Sequence, residues 1–147
     1  MTQRTYEILL VEDSPADQAL CREALAENDG KLRLSIAASG DEALRLLRER
    51  ANTAALPDLI LLDVQLPGIS GLEVLARLRA EPALSLLPVL MLSSSRHASD
   101  VQEAYRLRAN AYLVKPFGYD ELRELLQRTT AFWLGCVLLP PPIQVKD

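Results

Sequence analysis

The chain alternates between short apolar runs and longer amphipathic stretches. Four runs are continuous: Ile8-Leu9-Leu10-Val11, Leu59-Ile60-Leu61-Leu62, Val89-Leu90-Met91-Leu92 and Ala111-Tyr112-Leu113-Val114. A fifth segment, Leu32 to Ala37, alternates apolar and polar positions with period two. Continuous runs predict central parallel strands covered on both faces; the alternating segment predicts a strand with one wetter face. Between them stand helix starts. Ser14-Pro15-Ala16-Asp17 offers a hydroxyl cap, a proline at the first helical position and an acid in the first turn. Ser39-Gly40-Asp41-Glu42 and Ser70-Gly71-Leu72-Glu73 both read as Ser-x-x-Glu capping boxes. A weaker fourth helix is expected from Ser99, as cap with Gln102 as its partner, to about Leu107. Leu72, Leu75, Ala76 and Leu78, and then Leu122, Leu125 and Leu126, recur at helical spacing and read as core faces.

Five repeats of strand then helix predict an α/β protein, a doubly wound five-stranded parallel sheet with helices on both faces. Five strands favour the order 2-1-3-4-5, whose ligand crevice opens beyond the carboxyl ends of strands one and three. The residues there are Glu12-Asp13 and Asp63. A single acid at a strand end is most often merely solvated; three converging on one predicted crevice are harder to explain that way. At about 4 Å and an effective dielectric of 20, each like-charge contact costs on the order of 4 kcal/mol. A divalent cation relieves that repulsion, and an all-carboxylate oxygen site suits Mg²⁺. Strand four runs into Ser93-Ser94-Ser95 and strand five into Lys115-Pro116, which face the same crevice. A hydroxyl and an ammonium beside a metal-bound carboxylate form a cradle for a phosphoryl group, and point to an aspartyl phosphate on Asp63.

The segments ILLVEDSPAD, PDLILLDVQLPGISGLEVL, PVLMLSSS and ANAYLVKPF resemble the receiver domain of two-component response regulators, the CheY-like fold of the flavodoxin type, over about residues 6 to 129. The resemblance implies that Asp63 is the phosphoacceptor. It implies that Glu12, Asp13, Asp63 and the backbone carbonyl of Gln65 hold Mg²⁺. Ser93 resembles the switch hydroxyl that binds a phosphoryl oxygen, Lys115 the lysine that pairs with it, and Tyr112 the aromatic that swings inward as Ser93 moves. Pro116 is expected to follow a cis bond, as in that family. Ser95 and Gln65 stand where such proteins tune water access, and Arg108 stands where many carry a glycine that ends the fourth helix. From Asp13 to Asp63 is 50 positions, a long spacing, with the extra residues expected in 50–55 or 28–31. That spacing, Glu12 to Asp17 and the apolar tail look like the single-domain regulators paired with bacterial phytochrome histidine kinases.

Composition narrows the alternatives. The 147 residues suffice for one domain, and 49% apolar residues exclude a wholly disordered chain. Sixteen Lys and Arg stand against twenty Asp and Glu, a net charge of −4, which argues against a nucleic-acid binder. No run is long enough to span a membrane, the N-terminus does not read as a signal peptide, and Cys21 and Cys136 form no metal or disulfide pattern. A cytoplasmic protein is expected. His97 reads as a solvated loop residue, and Arg45, Arg48 and Arg50 as a solvated helix face. A P-loop is absent, and a haloacid-dehalogenase-type phosphatase would want an acid at Gln65. The expected function is therefore phosphoryl acceptance from a sensor histidine kinase, with no enzyme activity beyond the domain's own phosphotransfer and dephosphorylation. A phosphate sink, a phosphorelay intermediate or a scaffold is the alternative. Residues 1–130 are expected to form the receiver, its final helix ending its part in the domain near Thr130. About 18 residues follow Thr129, too few for a DNA-binding output module. In the tail, residues 131–147, Phe132, Trp133 and several aliphatic side chains precede Pro140-Pro141-Pro142; a homodimer is expected through it, the alternative being a tail that folds back on its own domain.

Overall fold

The computed structural model describes residues 4–26 and 30–141. Strand and helix alternate five times: β1 (Tyr6–Val11), α1 (Pro15–Leu25), β2 (Leu32–Ala37), α2 (Gly40–Arg50), β3 (Leu59–Leu62), α3 (Gly71–Ala80), β4 (Val89–Ser93), α4 (Ala98–Arg106), β5 (Ala111–Val114) and α5 (Tyr119–Gly135). All neighbouring strands pair in parallel, in the order β2-β1-β3-β4-β5. The predicted fold class and strand order are what is found. Alternate residues of the central strands serve two cores. Leu9 and Val11 of β1 pack with α2 and α3, while Ile8 and Leu10 pack with α1 and α5. That double burial is why these strands are continuously apolar. Val11 pairs with Leu62, Leu62 with Met91 and Ser93 with Val114, so the strands end nearly level. Among the described residues no helix is long and apolar enough to cross a membrane.

The predicted caps hold in part. The hydroxyls of Ser14, Ser39 and Ser70 accept the N–H of Asp17, Glu42 and Glu73 at 3.3, 3.1 and 3.2 Å. The return halves of the boxes are missing: Glu42 accepts from Ala38 N–H, and Glu73 turns to Arg77. The fourth helix starts earlier than expected. Its N-cap is exposed His97, which makes no side-chain cap bond, and Ser99 lies inside the first turn. The polar groups that could have capped are used elsewhere: Ser95 Oγ donates to Asp100 Oδ2 at 2.6 Å and accepts from His97 N–H at 3.3 Å.

Three further expectations are corrected. The peptide bond before Pro116 is trans, since no described residue has a cis bond; this is the isomer an X–Pro bond favours by about 0.5–1 kcal/mol. The last helix runs past Thr130 to Gly135, because buried Leu122, Leu126, Thr129 and Thr130 share one face with Trp133, which packs on the α1–α5 core. Arg50 is no solvated residue: its guanidinium donates at 2.6 Å to Glu7, buried in the sheet, which also takes Ser35 Oγ and Arg33. Arg45 is exposed as read, and Arg48 pairs with Glu81 at 2.7 Å. Arg108 keeps the left-handed backbone usually given to glycine, at φ 70°. It closes a Schellman end in which Ala109 N–H bonds Ala104 O and Arg108 N–H bonds Tyr105 O, both at 2.9 Å. A left-handed L-residue costs roughly 1–2 kcal/mol; the half-buried Arg79 guanidinium offsets this by donating to Arg108 O, Asn110 Oδ1, Ser85 O and Leu87 O. Of the segments expected to hold extra residues, the exposed stretch before β3 is a loop, while Asn28 and Asp29 lie outside the described residues.

Candidate functional site

The acids stand where the sheet ends, and the sheet itself fixes them. Glu12 N–H donates to Ala37 O at 3.0 Å, Asp63 N–H to Val11 O at 3.1 Å and Lys115 N–H to Ser93 O at 2.8 Å. Each residue thus continues the ladder by one bond while its side chain turns into the crevice. Gln18 Nε2 clamps the Glu12 carbonyl at 2.6 Å. One carboxylate oxygen from each of Glu12, Asp13 and Asp63 lies within 4.8 Å of the others. Gln65 N–H donates to Asp63 Oδ1 at 3.0 Å, and the other oxygen, Oδ2, is 3.5 Å from Lys115 Nζ. Gln65, Ser94, Pro116 and fully exposed Phe117 complete the mouth.

Lys115 is shared. Its ammonium is 2.9 Å from Glu12 Oε1 and 3.1 Å from Asp17 Oδ2, both nearer than Asp63. Three carboxylates therefore face one cation, and Asp13 stands beside them in the crevice. The imbalance falls on Glu12, whose carboxyl is pushed up to about 8 by burial and by hydrogen bonding with Asp63 and Asp17, against the pull of Lys115. A bond from Glu12, and then Lys115, holds Asp17 below its ordinary value. Burial works against the Lys115 charge, but the hydrogen bond to Glu12 and the charges of Asp63 and Glu12 outweigh it and raise the group. Glu12 Oε2 is buried and meets no hydrogen-bond donor among the described residues. A buried carboxylate oxygen left empty-handed costs about 1–3 kcal/mol or more, and here it belongs to a cluster of hard oxygen donors. That donor set fits a divalent cation of the Mg²⁺ or Mn²⁺ type.

Ser93 is fully buried at the end of β4, and its hydroxyl accepts Ser95 N–H at 3.2 Å. Among the described residues the Ser93 hydroxyl makes no hydrogen bond to the Asp63 carboxylate or the Lys115 ammonium, so it shares the strand-end level without joining the charged cluster. Tyr112 is linked to it through Ser95: the phenol donates to Ser95 O at 2.9 Å, so the ring already reaches the β4–α4 loop. Two contributors escaped the sequence reading. Asp17 was read only as a first-turn acid, although it stands four positions after Asp13; Gln18 carried no signal. Gly71 N–H bonds Val64 O at 2.8 Å, which seats α3 directly against the Asp63 backbone.

The chain is similar to known proteins in sequence and fold. The family described as response regulator receiver domain matches residues 8–127. The response regulator Rcp1 of Synechocystis sp. is 38% identical over 135 residues, covering 90% of this chain and 92% of that protein. The crystal structure of the phosphorylated cyanobacterial phytochrome response regulator RcpA superposes with a TM-score of 0.88 at 37% identity, covering 93% of this chain and 99% of that one. The Mn(2+)-bound form of Rcp1 gives a TM-score of 0.84 at 38% identity, covering 92% and 99%.

Proposed function

The chain belongs to the response regulator receiver family, and from that premise we propose that it accepts a phosphoryl group on Asp63 from the phosphohistidine of a sensor histidine kinase of the phytochrome type. The observation that carries the reading is the state of Asp63. One oxygen is held by Gln65 N–H, the other faces the Lys115 ammonium, and the carboxylate opens to the mouth. In the transfer an Asp63 oxygen forms the bond to phosphorus as the bond from phosphorus to the donor imidazole breaks, the imidazole keeping the electron pair. Glu12, Asp13, Asp63 and the Gln65 carbonyl would hold Mg²⁺, which when bound neutralises carboxylate charge and developing phosphoryl charge. Lys115 and the Ser93 hydroxyl take the phosphoryl oxygens. For that, Ser93 releases Ser95 N–H, and Ser95 carries the Tyr112 phenol, so the α4–β5 face receives the change. Output is a protein contact, in the cytoplasm where the kinase transmitter lies. Similarity to RcpA and Rcp1 supports the phytochrome pairing.

Mixing the protein with phosphorylated histidine kinases tests this. Rapid Mg²⁺-dependent transfer from a phytochrome-type kinase, abolished by EDTA, is expected. Equal or faster transfer from unrelated kinases overturns the pairing, and no labelling by any kinase or by acetyl phosphate overturns the reading itself.

The same reading includes a second copy of the chain. Phe132 and Leu138 stay exposed beside the end of α5, while Trp133 and Leu134 pack inward and Leu139, Pro140 and Pro141 lie along Leu56, Pro57 and Pro88. Residues 142–147 lie outside the described residues. A full-length dimer by light scattering, and a monomer when the chain ends at Gly135, is expected. A full-length monomer at high micromolar concentration, or a shortened chain that stays dimeric, removes the proposal.

A further inference from the structure

We propose that Asp17 is a positioning residue that holds the Lys115 ammonium back from the acceptor until a phosphoryl group arrives; the inference rests on Asp63 being that acceptor. An ammonium has three N–H donors, and Lys115 has three carboxylate partners, Glu12 at 2.9 Å, Asp17 at 3.1 Å and Asp63 at 3.5 Å. No donor is left for new phosphoryl oxygens, so one contact must be given up. Glu12 cannot be the one: its side chain is 3% exposed and its second oxygen already lacks a partner. Asp17 can be. Its carboxylate is 34% exposed at the mouth, where water replaces a lost partner at little cost.

The geometry also decides which partner moves. Asp17 sits in the first turn of α1, where its own N–H is held by Ser14 Oγ, and Cys21, Ala24 and Leu25 anchor the helix in the core. A first-turn acid is favoured there by the helix dipole, and the anchored helix sets where the Asp17 side chain starts. Lys115 reaches the cluster on a four-carbon stem that pivots easily. Asp17 does not belong to the group of carboxylates close enough to share one ion, which comprises Glu12, Asp13 and Asp63. It acts on the lysine. In the resting protein it draws the ammonium toward α1, and phosphorylation proceeds by swinging that ammonium to Asp63.

Beryllofluoride at saturating Mg²⁺, a stand-in for the phosphoryl group, measures this on the full chain. Asp17→Asn keeps the side-chain shape and removes the competing charge, so affinity is expected to rise about tenfold, the size of one charge-assisted contact at a partly exposed site. Labelling by acetyl phosphate is expected to quicken similarly, and Asp17→Glu is expected to return both to the wild-type range. In a Lys115→Met background, Asp17→Asn is expected to change nothing, because the lysine carries the effect. Unchanged or weaker binding by Asp17→Asn overturns the inference. So does a gain that persists without Lys115, which would be plain charge repulsion at the mouth. A wild-type protein that takes neither beryllofluoride nor phosphate overturns the acceptor reading instead.

Discussion

Asp63→Asn is expected to take up no phosphoryl group from acetyl phosphate or from a kinase, a loss on the order of 10³-fold or more, while folding at least as stably as the wild type. The first half follows from chemistry: an amide keeps the carboxylate's shape but is a far weaker nucleophile toward phosphorus. The second half follows from the charge count. Without a metal ion, Glu12, Asp13 and Asp63 crowd one another, and Asp63 is the most distant of the lysine's three carboxylate partners. Removing its charge leaves the Glu12 and Asp17 contacts in place and relieves like-charge repulsion on the order of 4 kcal/mol per close contact at an effective dielectric of 20, partly offset by the lost attraction to Lys115 at 3.5 Å. Melting in EDTA should therefore rise by a few degrees, and the stabilisation by Mg²⁺ should shrink. Stoichiometric phosphate on the variant, mapped by mass spectrometry to another residue, overturns the assignment. A clear fall in melting temperature shows instead that Asp63 is needed for the fold.

The fold was legible because the signals that specify it are local and repeat. Each central strand is covered on both faces, so Ile8–Val11, Leu59–Leu62 and Val89–Leu92 stand out as unbroken apolar runs whatever lies between them. Serine caps at Ser14, Ser39 and Ser70 were legible for the same reason, since a cap bond spans three residues. What escaped depends on partners distant in sequence. Ser99 looked like a cap, but Ser95 and Asp100 bind each other across the loop and the helix starts before it. Arg50 looked solvated because Glu7, its partner, is 43 positions away. The end of α5 was misplaced because Trp133 reads as tail until the α1–α5 core is there to receive it. The acids Glu12, Asp13 and Asp63 were legible from topology, which brings strand ends together. Asp17 was not, because its meaning depends on where Lys115 points, and that is set by a side chain 98 positions away.

The same long-range logic makes Gly71→Ala the substitution with the largest combined effect. A Cβ at Gly71 would lie 1.9 Å from Asp63 O, 2.8 Å from Asp63 C and 3.0 Å from Val64 Cα. All three are backbone atoms held by the sheet, so no side-chain rotation relieves the overlap. Either α3 backs away by about 1 Å or the Asp63 peptide does, breaking the Gly71 N–H to Val64 O bond. Overpacking of this kind costs about 3 kcal/mol, a large share of the ~5–15 kcal/mol by which domains are stable. A 1 Å displacement at the acceptor costs about 10² in rate, so labelling of Asp63 should fall about a hundredfold in the fraction that remains folded. Gly40→Ala is the control. The three atoms nearest its Cβ are all side-chain atoms, Val74 Cγ2 at 2.6 Å and Ile69 Cγ1 and Cδ1 at 2.7 and 3.0 Å; side chains can shift where backbone cannot, and although the variant loses stability, the Asp63 peptide keeps its place. Circular dichroism melting, paired with the rate of phosphate uptake per folded molecule, separates the two. If Gly71→Ala labels at the wild-type rate, or Gly40→Ala loses uptake as severely, then the close seat of α3 on Asp63 does not set the acceptor's position.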